Sequence, residues 1–379
     1  MDAGYGDGAV IIEAVAVRAV PERGARERRA RLGLAACAAL ALAAALASLA
    51  IGPVTIPVEH VLAILWRAMG GSVAGPEIGL RESVVVLDIR LPRTLLGLMV
   101  GAATATAGAV MQGVFRNPLA DPGLIGVSSG AALAAVLWIV LGASLAAVLP
   151  GVGLPAFIGE FGLPAAAFAG ALLVTAVLHV VATREGRTSV ATLLFAGIAF
   201  GAMAGAGTGV LVFIASDQQL RDLTFWSMGS LGGATWAKLM AASPFVLLLF
   251  VLAPPLARAL DALALGEAAA FHVGVDVERA KRLAIAGVAA GAGAAVAAAG
   301  VIGFVGLVVP HLLRLLIGPG HRLLLPASAF AGGALLLGAD LVARTIAAPA
   351  ELPLGIVTAA IGAPFFLWLL LRRRADLFG

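Results

Sequence analysis

Charge is what this sequence has least of. Among 379 residues, 12% are Asp, Glu, Lys or Arg and 61% are hydrophobic, where a soluble domain carries about 25% charged residues. The mean hydropathy of +1.05 points the same way. Such a composition excludes water as the main solvent and leaves no stretch polar enough for an independent catalytic domain. Cysteine is almost missing too. The single Cys37 excludes an internal disulfide and a cysteine-built metal cluster, and in an apolar run it reads as a small buried hydrophobe. The five histidines (His60, His179, His272, His311, His321) are scattered, and no HExxH, GxSxG or GxxxxGK[ST] run occurs. Metalloprotease, hydrolase and ATPase readings therefore lose their motifs, and no resident metal is expected. The net charge of +4 is spread between hydrophobic runs and forms no basic patch, which argues against a nucleic-acid partner.

What the chain does have is long apolar runs. They lie near 32–51, 94–113, 123–142, 164–182, 190–214, 238–257, 283–302, 304–317, 326–346 and 354–371, all but the shorter 304–317 near the length that spans a bilayer as a helix. The fold class expected is all-α, a polytopic membrane protein of ten transmembrane helices. The 48 glycines suit helices that approach closely in lipid. A charged segment over 1–31 precedes one integral domain over 32–379, and the first run, longer than the core of a signal peptide, reads as a retained span. With both termini in the cytoplasm, eighteen of the 25 basic residues fall inside, among them the Arg-rich stretch before Leu32 and Arg372 to Arg374. That asymmetry is the positive-inside signal.

Three connections stand out. Residues 52–93 form a long, mixed-charge link with Trp66, and SDQQLRDLTFWSMGSLGGATW over 216–236 is suited to a short helix dipping toward the membrane. The longest inside connection, about 258–282, reads RALDALALGEAAAFHVGVDVERAKR. Two short helices joined by a turn at Gly274 would make a rigid knob, either a fitting for a cytoplasmic partner or an ordinary amphipathic connector. Asn117, Pro118, Asp121 and Pro122 break the chain between spans two and three, and Pro310 and His311 are expected to interrupt span eight.

Four motifs in order over about 85–371 carry a resemblance: DIRLPRTLLGLMVGAATATAGAVMQGVFRNPLADPGLIGVSSGA, LALGEAAAFHVGV, GVIGFVGLVVPHLLRLLIGPGHRLLLP and AELPLGIVTAAIGAPFFLWLL. The chain resembles the permease subunits of the iron-siderophore, haem and cobalamin class of bacterial ABC importers, with their type II architecture. The resemblance implies a homodimer with its pore at the interface, two cytoplasmic ATPase subunits that hold ATP and Mg, and a periplasmic binding protein that delivers substrate. This chain itself would bind no cofactor and sit in the inner membrane. Leu265, Gly266, Glu267 and Gly274 match the motif by which the family couples to its ATPase.

By the same resemblance Arg90, Arg93 and Arg344 would receive acidic residues of the binding protein. Pro92 is expected to start the second span, with Arg90 and Arg93 sharing one side of the helix entry; the alternative is pairing with Asp88 and Asp340. For the pathway the candidates are Phe213, Asp217, Gln218, Phe225 and Trp226, followed by Met111 and Gln112. His311 lies in a motif shared by permeases for chemically different substrates, which favours a structural or gating role over metal or haem ligation. LRDLTFWSMGSLGGATW looks closest to haem permeases, so haem ranks first, ferric siderophore second and cobalamin third. The rival class is an ion-coupled secondary transporter. It requires ionisable residues at mid-span, and the apolar runs are nearly free of them.

Overall fold

The computed structural model describes residues 23–72, 78–148 and 155–378. Most of the charged segment over 1–31 lies outside the described residues. Its end does not: Arg23 to Arg31 are helical and continue without a break into the first apolar run as α1 (Arg23–Ala50). The long link holds α2 (Val58–Ala68) and α3 (Leu80–Val84), and α3 leads through a π-helical turn, Val85–Arg90, into α4 (Leu91–Val114). Pro92 therefore does not start a helix, as the sequence suggests. The path is helical from Leu80, and Pro92, which has no amide hydrogen to donate, falls directly after the π turn, where the bonding ladder is already shifted.

A 3-10 turn (Pro122–Ile125), capped by the Asp121 side chain accepting from the Gly123 amide at 2.8 Å, precedes α5 (Val127–Val148) and α6 (Pro155–Ala182). Strands β1 (Thr183–Arg184) and β2 (Arg187–Thr188) pair antiparallel in a tight hairpin leading to α7 (Val190–Ile214). Then come α8 (Asp217–Ser227), α9 (Trp236–Leu263), α10 (Glu267–His272), α11 (Val277–Ala299), α12 (Val305–Ile317), α13 (His321–Ile346) and α14 (Leu354–Phe378). Each of the ten apolar runs lies on one of these helices. Among the described residues, seven helical stretches are long and apolar enough to cross a membrane; the described apolar parts of α5, α12 and α14 are shorter.

Helix α4 is the hub, packed by α13, α11, α12 and α9, while α5 and α6 pair and carry α7, and α1 lies on α13. Small residues make this possible. A Cβ on Gly101 would overlap the main chain of Gly332 and Gly333 on α13, and one on Gly108 would overlap the carbonyl group of Gly306 on α12. Without a hydrophobic force between helices in lipid, such backbone contact is what holds the bundle. Pro310 does not interrupt α12, contrary to expectation; the helix runs on to Ile317. What Pro310 removes is the amide that would bond the Gly306 carbonyl, and that oxygen lies against Gly108 instead. His311 is buried beside it.

Candidate functional site

At the end of the bundle where α1 finishes and α4 begins, three arginines are held by this chain's own acceptors. Helix α1 ends without a glycine cap, leaving carbonyl groups that need donors. Arg90 supplies them: its Nη1 donates to Leu49 O at 2.7 Å and Ala50 O at 3.0 Å, and its Nη2 donates to Val54 O. Arg344 donates from Nη2 to Ser48 O at 2.8 Å and to Ser48 Oγ at 3.0 Å. Arg93 makes an ion pair with Asp340 at 2.8 Å and a second with Glu351 at 2.8 Å.

Arg90 and Arg344 are only 4% and 5% exposed, so neither is presented outward as the sequence suggests. Burying a guanidinium is costly unless it is bonded or paired: Arg90 donates to the end of α1 and the turn after it, and Arg344 donates to Ser48 and lies 3.6 Å from Asp340. The alternative pairing with Asp340 holds for Arg93 and also for Arg344, while Asp88 is exposed and is not among their partners.

Glu351 lies in the motif AELPLG, but nothing local marks it as the partner of Arg93, 258 residues away. The hydrogen bond from Arg93 is the first cause that holds the Glu351 carboxyl below its ordinary range. A depressed carboxylate stabilises the fold above the unfolded group's titration, and the contribution disappears as pH falls through the lowered value. Glu351→Gln is therefore expected to lower the melting temperature at neutral pH, with the difference from wild type closing in acid. A thermal-shift series across pH checks it; a constant difference at every pH counts against the pair.

At the opposite end, the connection is shorter than the sequence suggests. Helix α9 runs on to Leu263 and α11 starts at Val277. Between them α10 is bounded by Gly266 (φ +107°) and Gly274 (φ +84°), backbone conformations that suit glycine. The knob presents Leu265 (76% exposed), Phe271 and Val273 outward. Its brace is a residue the sequence reading passes over. Lys281 is 2% exposed, and its Nζ lies 2.9 Å from Glu267, 3.1 Å from Glu278 and 2.9 Å from the Thr188 carbonyl that accepts from it. Glu278 in turn accepts from the Thr188 amide at 2.9 Å. One ammonium thus joins the knob, α11 and the hairpin that opens α7. A signal did exist: Lys281 is one of two lysines in a chain whose other cations are arginines. A compact cation with three donors suits three converging acceptors better than a planar fork does.

The pathway candidates separate into two groups. Phe213, at the end of α7, is 90% exposed, and Asp217, Gln218 and Phe225 on α8 are exposed as well. Helix α8 is fixed by a capping box between Ser216 and Gln219, and the Gln219 amide also donates to the Ile139 and Val140 carbonyls of α5. Trp226 is half-buried against the core. Met111 and Gln112 are not on a free surface: both are buried, and Gln112 donates to Leu307 O at 3.2 Å while its Oε1 accepts from Arg314. Both sit on the inner face of the hub helix. Among the described residues, no three His, Cys, Asp or Glu side chains come together as a metal site.

Residues 40–372 match the model of the FecCD transport family. The chain belongs to that family. It is the family of the membrane channel subunits of ABC transporters, and its members work with an ATPase and a substrate-binding partner, so this permease is a multi-span protein of the bacterial inner membrane. It is 49% identical over 293 residues to the hemin transport system permease protein HmuU of Yersinia pestis, covering 77% of this chain and 85% of that protein. It is 47% identical over 308 residues to the cobalamin import system permease protein BtuC of Halobacterium salinarum, covering 80% and 79%. Among solved structures, a metal-chelate type ABC transporter in an inward-facing conformation matches at a TM-score of 0.74 and 31% identity, covering 89% of this permease and 98% of that chain. Membership displaces the secondary-transporter reading.

Proposed function

We propose that two copies of this permease, each with ten spans, form the channel of a haem importer, ATP being bound and hydrolysed with Mg on two ATPase subunits at the knob end. The observation that carries the reading is the knob: an exposed, glycine-bounded helix braced on a buried lysine is built to transmit force. The knob end is cytoplasmic, which agrees with the basic residues gathered there. Leu265, Gly266, Glu267 and Gly274 form the seat for the ATPase. Through Lys281 and Thr188, displacement of the seat reaches the start of α7, whose far end carries Phe213.

The substrate-binding protein docks at the Arg90 end. There Arg93 and its half-exposed partner Glu351 face the landing surface, while Arg90 and Arg344 shape it by fixing the end of α1. Phe213, Asp217, Gln218 and Phe225 line the passage, with Trp226 behind them. Haem is favoured over ferric siderophores and cobalamin by the LRDLTFWSMGSLGGATW stretch and by the likeness to a hemin permease. Uptake of labelled haem in a host lacking its own system tests the substrate. Deletion of this chain is expected to abolish uptake and growth on haem iron, and unchanged growth would sink the haem assignment. Co-elution of an ATPase subunit tests the wider assembly independently.

A further inference from the structure

A cavity of about 1090 Å³ opens between α1, α4, α9 and α13, at the top of the range of about 300–1,000 Å³ usual for ligand sites. No residue of α7 or α8 lines it, so it stands apart from the proposed passage. Its wall is almost wholly apolar, built from residues such as Leu42, Leu98, Phe250 and Phe330. Two prolines in tandem, Pro254 and Pro255, line the α9 side, where the missing amides leave the preceding turn less bonded. The polarity is gathered at one end. There the cavity is lined by Arg258, near the end of α9, and Arg322, at the start of α13. Both are exposed, and neither has a carboxylate partner among the described residues.

Two further facts define the occupant. Helix α1, one wall of the cavity, is the least enclosed of the lining helices, with 17% of its apolar window buried, so the cavity faces the surroundings of the bundle. His321, which also lines the cavity, has both ring nitrogens engaged, Nδ1 with Asp261 at 2.7 Å and Nε2 with Arg314 at 3.1 Å. It is therefore not available as an axial ligand for iron. An apolar slot with a pair of exposed cations at one mouth matches acyl chains joined to a negative headgroup. Basic pockets between helices on the cytoplasmic side recognise anionic lipid in this way.

We propose that this cavity holds an anionic phospholipid, its chains between α1, α4, α9 and α13 and its phosphate at Arg258 and Arg322. The leaflet is the inner one, which rests on the orientation proposed above; the identity of the ligand does not. The guanidiniums select the headgroup, and the slot takes the chains whatever the headgroup.

The test uses the full chain in detergent, exchanged against equal phosphatidylglycerol and phosphatidylcholine, with retained lipid read by native mass spectrometry. Two basic residues give an expected preference of about 30-fold for phosphatidylglycerol. In Arg258→Gln/Arg322→Gln the preference is expected to fall to near parity with some lipid still retained. In Ala329→Leu, which narrows the slot, retention of both lipids is expected to drop while the preference persists. Equal retention of the two lipids by wild type, an unchanged preference in the arginine variant, or undiminished retention in Ala329→Leu would each overturn the proposal. Should the arginine variant fail to fold, the wild-type preference and the Ala329→Leu result decide it. Failure here leaves the haem-uptake result untouched, so the two readings fall separately.

Discussion

Gly108→Leu is expected to yield almost no monodisperse protein from membranes, whereas Gly338→Leu is expected to behave as wild type. At Gly108 the added side chain meets the Gly306 main chain on α12, and at Gly338 a Cβ meets nothing within 4 Å. Overpacking costs about 1–3 kcal/mol when neighbouring side chains can turn aside. Main chain cannot turn aside, so we place the cost at about 3 kcal/mol or above, roughly a hundredfold in the folded fraction. Fluorescence-detected size exclusion of tagged variants measures it. Equal recovery of the two would mean that the contact between α4 and α12 is not what holds the hub together.

The second large effect concerns transport rather than folding. Lys281→Met keeps most of the buried stem and removes the ammonium that joins Glu267, Glu278 and the Thr188 carbonyl. A hydrogen bond to a charged group is worth about 1.5–3 kcal/mol, but Glu267 and Glu278 are both partly solvated, so the global penalty should sit at or below the low end of that range. We expect normal insertion, at least tenfold less ATPase subunit on co-purification, and loss of uptake. Glu267→Arg, which sets a second cation beside Lys281, is expected to do the same. The two changes break one brace, so the double variant should be little worse than either alone. Retention of both assembly and uptake in Lys281→Met would remove the coupling role of the brace.

The spans were legible because their signal is local: twenty apolar residues in a row report their environment without reference to anything distant. Helix ends were less so. The Arg-rich stretch before Leu32 reads as a solvated tail, yet arginine is a good helix former, and α1 simply continues through it. The extension of α4 back to Leu80 was hidden by Pro92, which reads as a start signal until the π turn before it is seen. Gly274 announced the turn of the knob, since few other residues adopt the backbone it needs, whereas Gly266 entered only through the motif match. What holds the knob was not legible, because the partner of Lys281 at Thr188 is 93 residues away. The arginines at the other end show the same limit. Sequence says that Arg90 and Arg344 are cations at a boundary; only the fold says that the open carbonyls of α1 take up their donors.

The hub has one more consequence. The inner stretches of α4 and α11, GAATATAGAV and AGVAAGAGAAVAAAG, are nearly all glycine and alanine, residues that have almost no rotamers to lose or exchange. These stretches of the hub therefore have little side-chain vocabulary with which to answer a signal. They cannot re-pack; they can only slide or tilt as a solid piece. Whatever alternation the transport cycle demands has to be expressed by helices that swing around this unyielding axle, with leucines such as Leu249 and Leu337 bearing on its glycines.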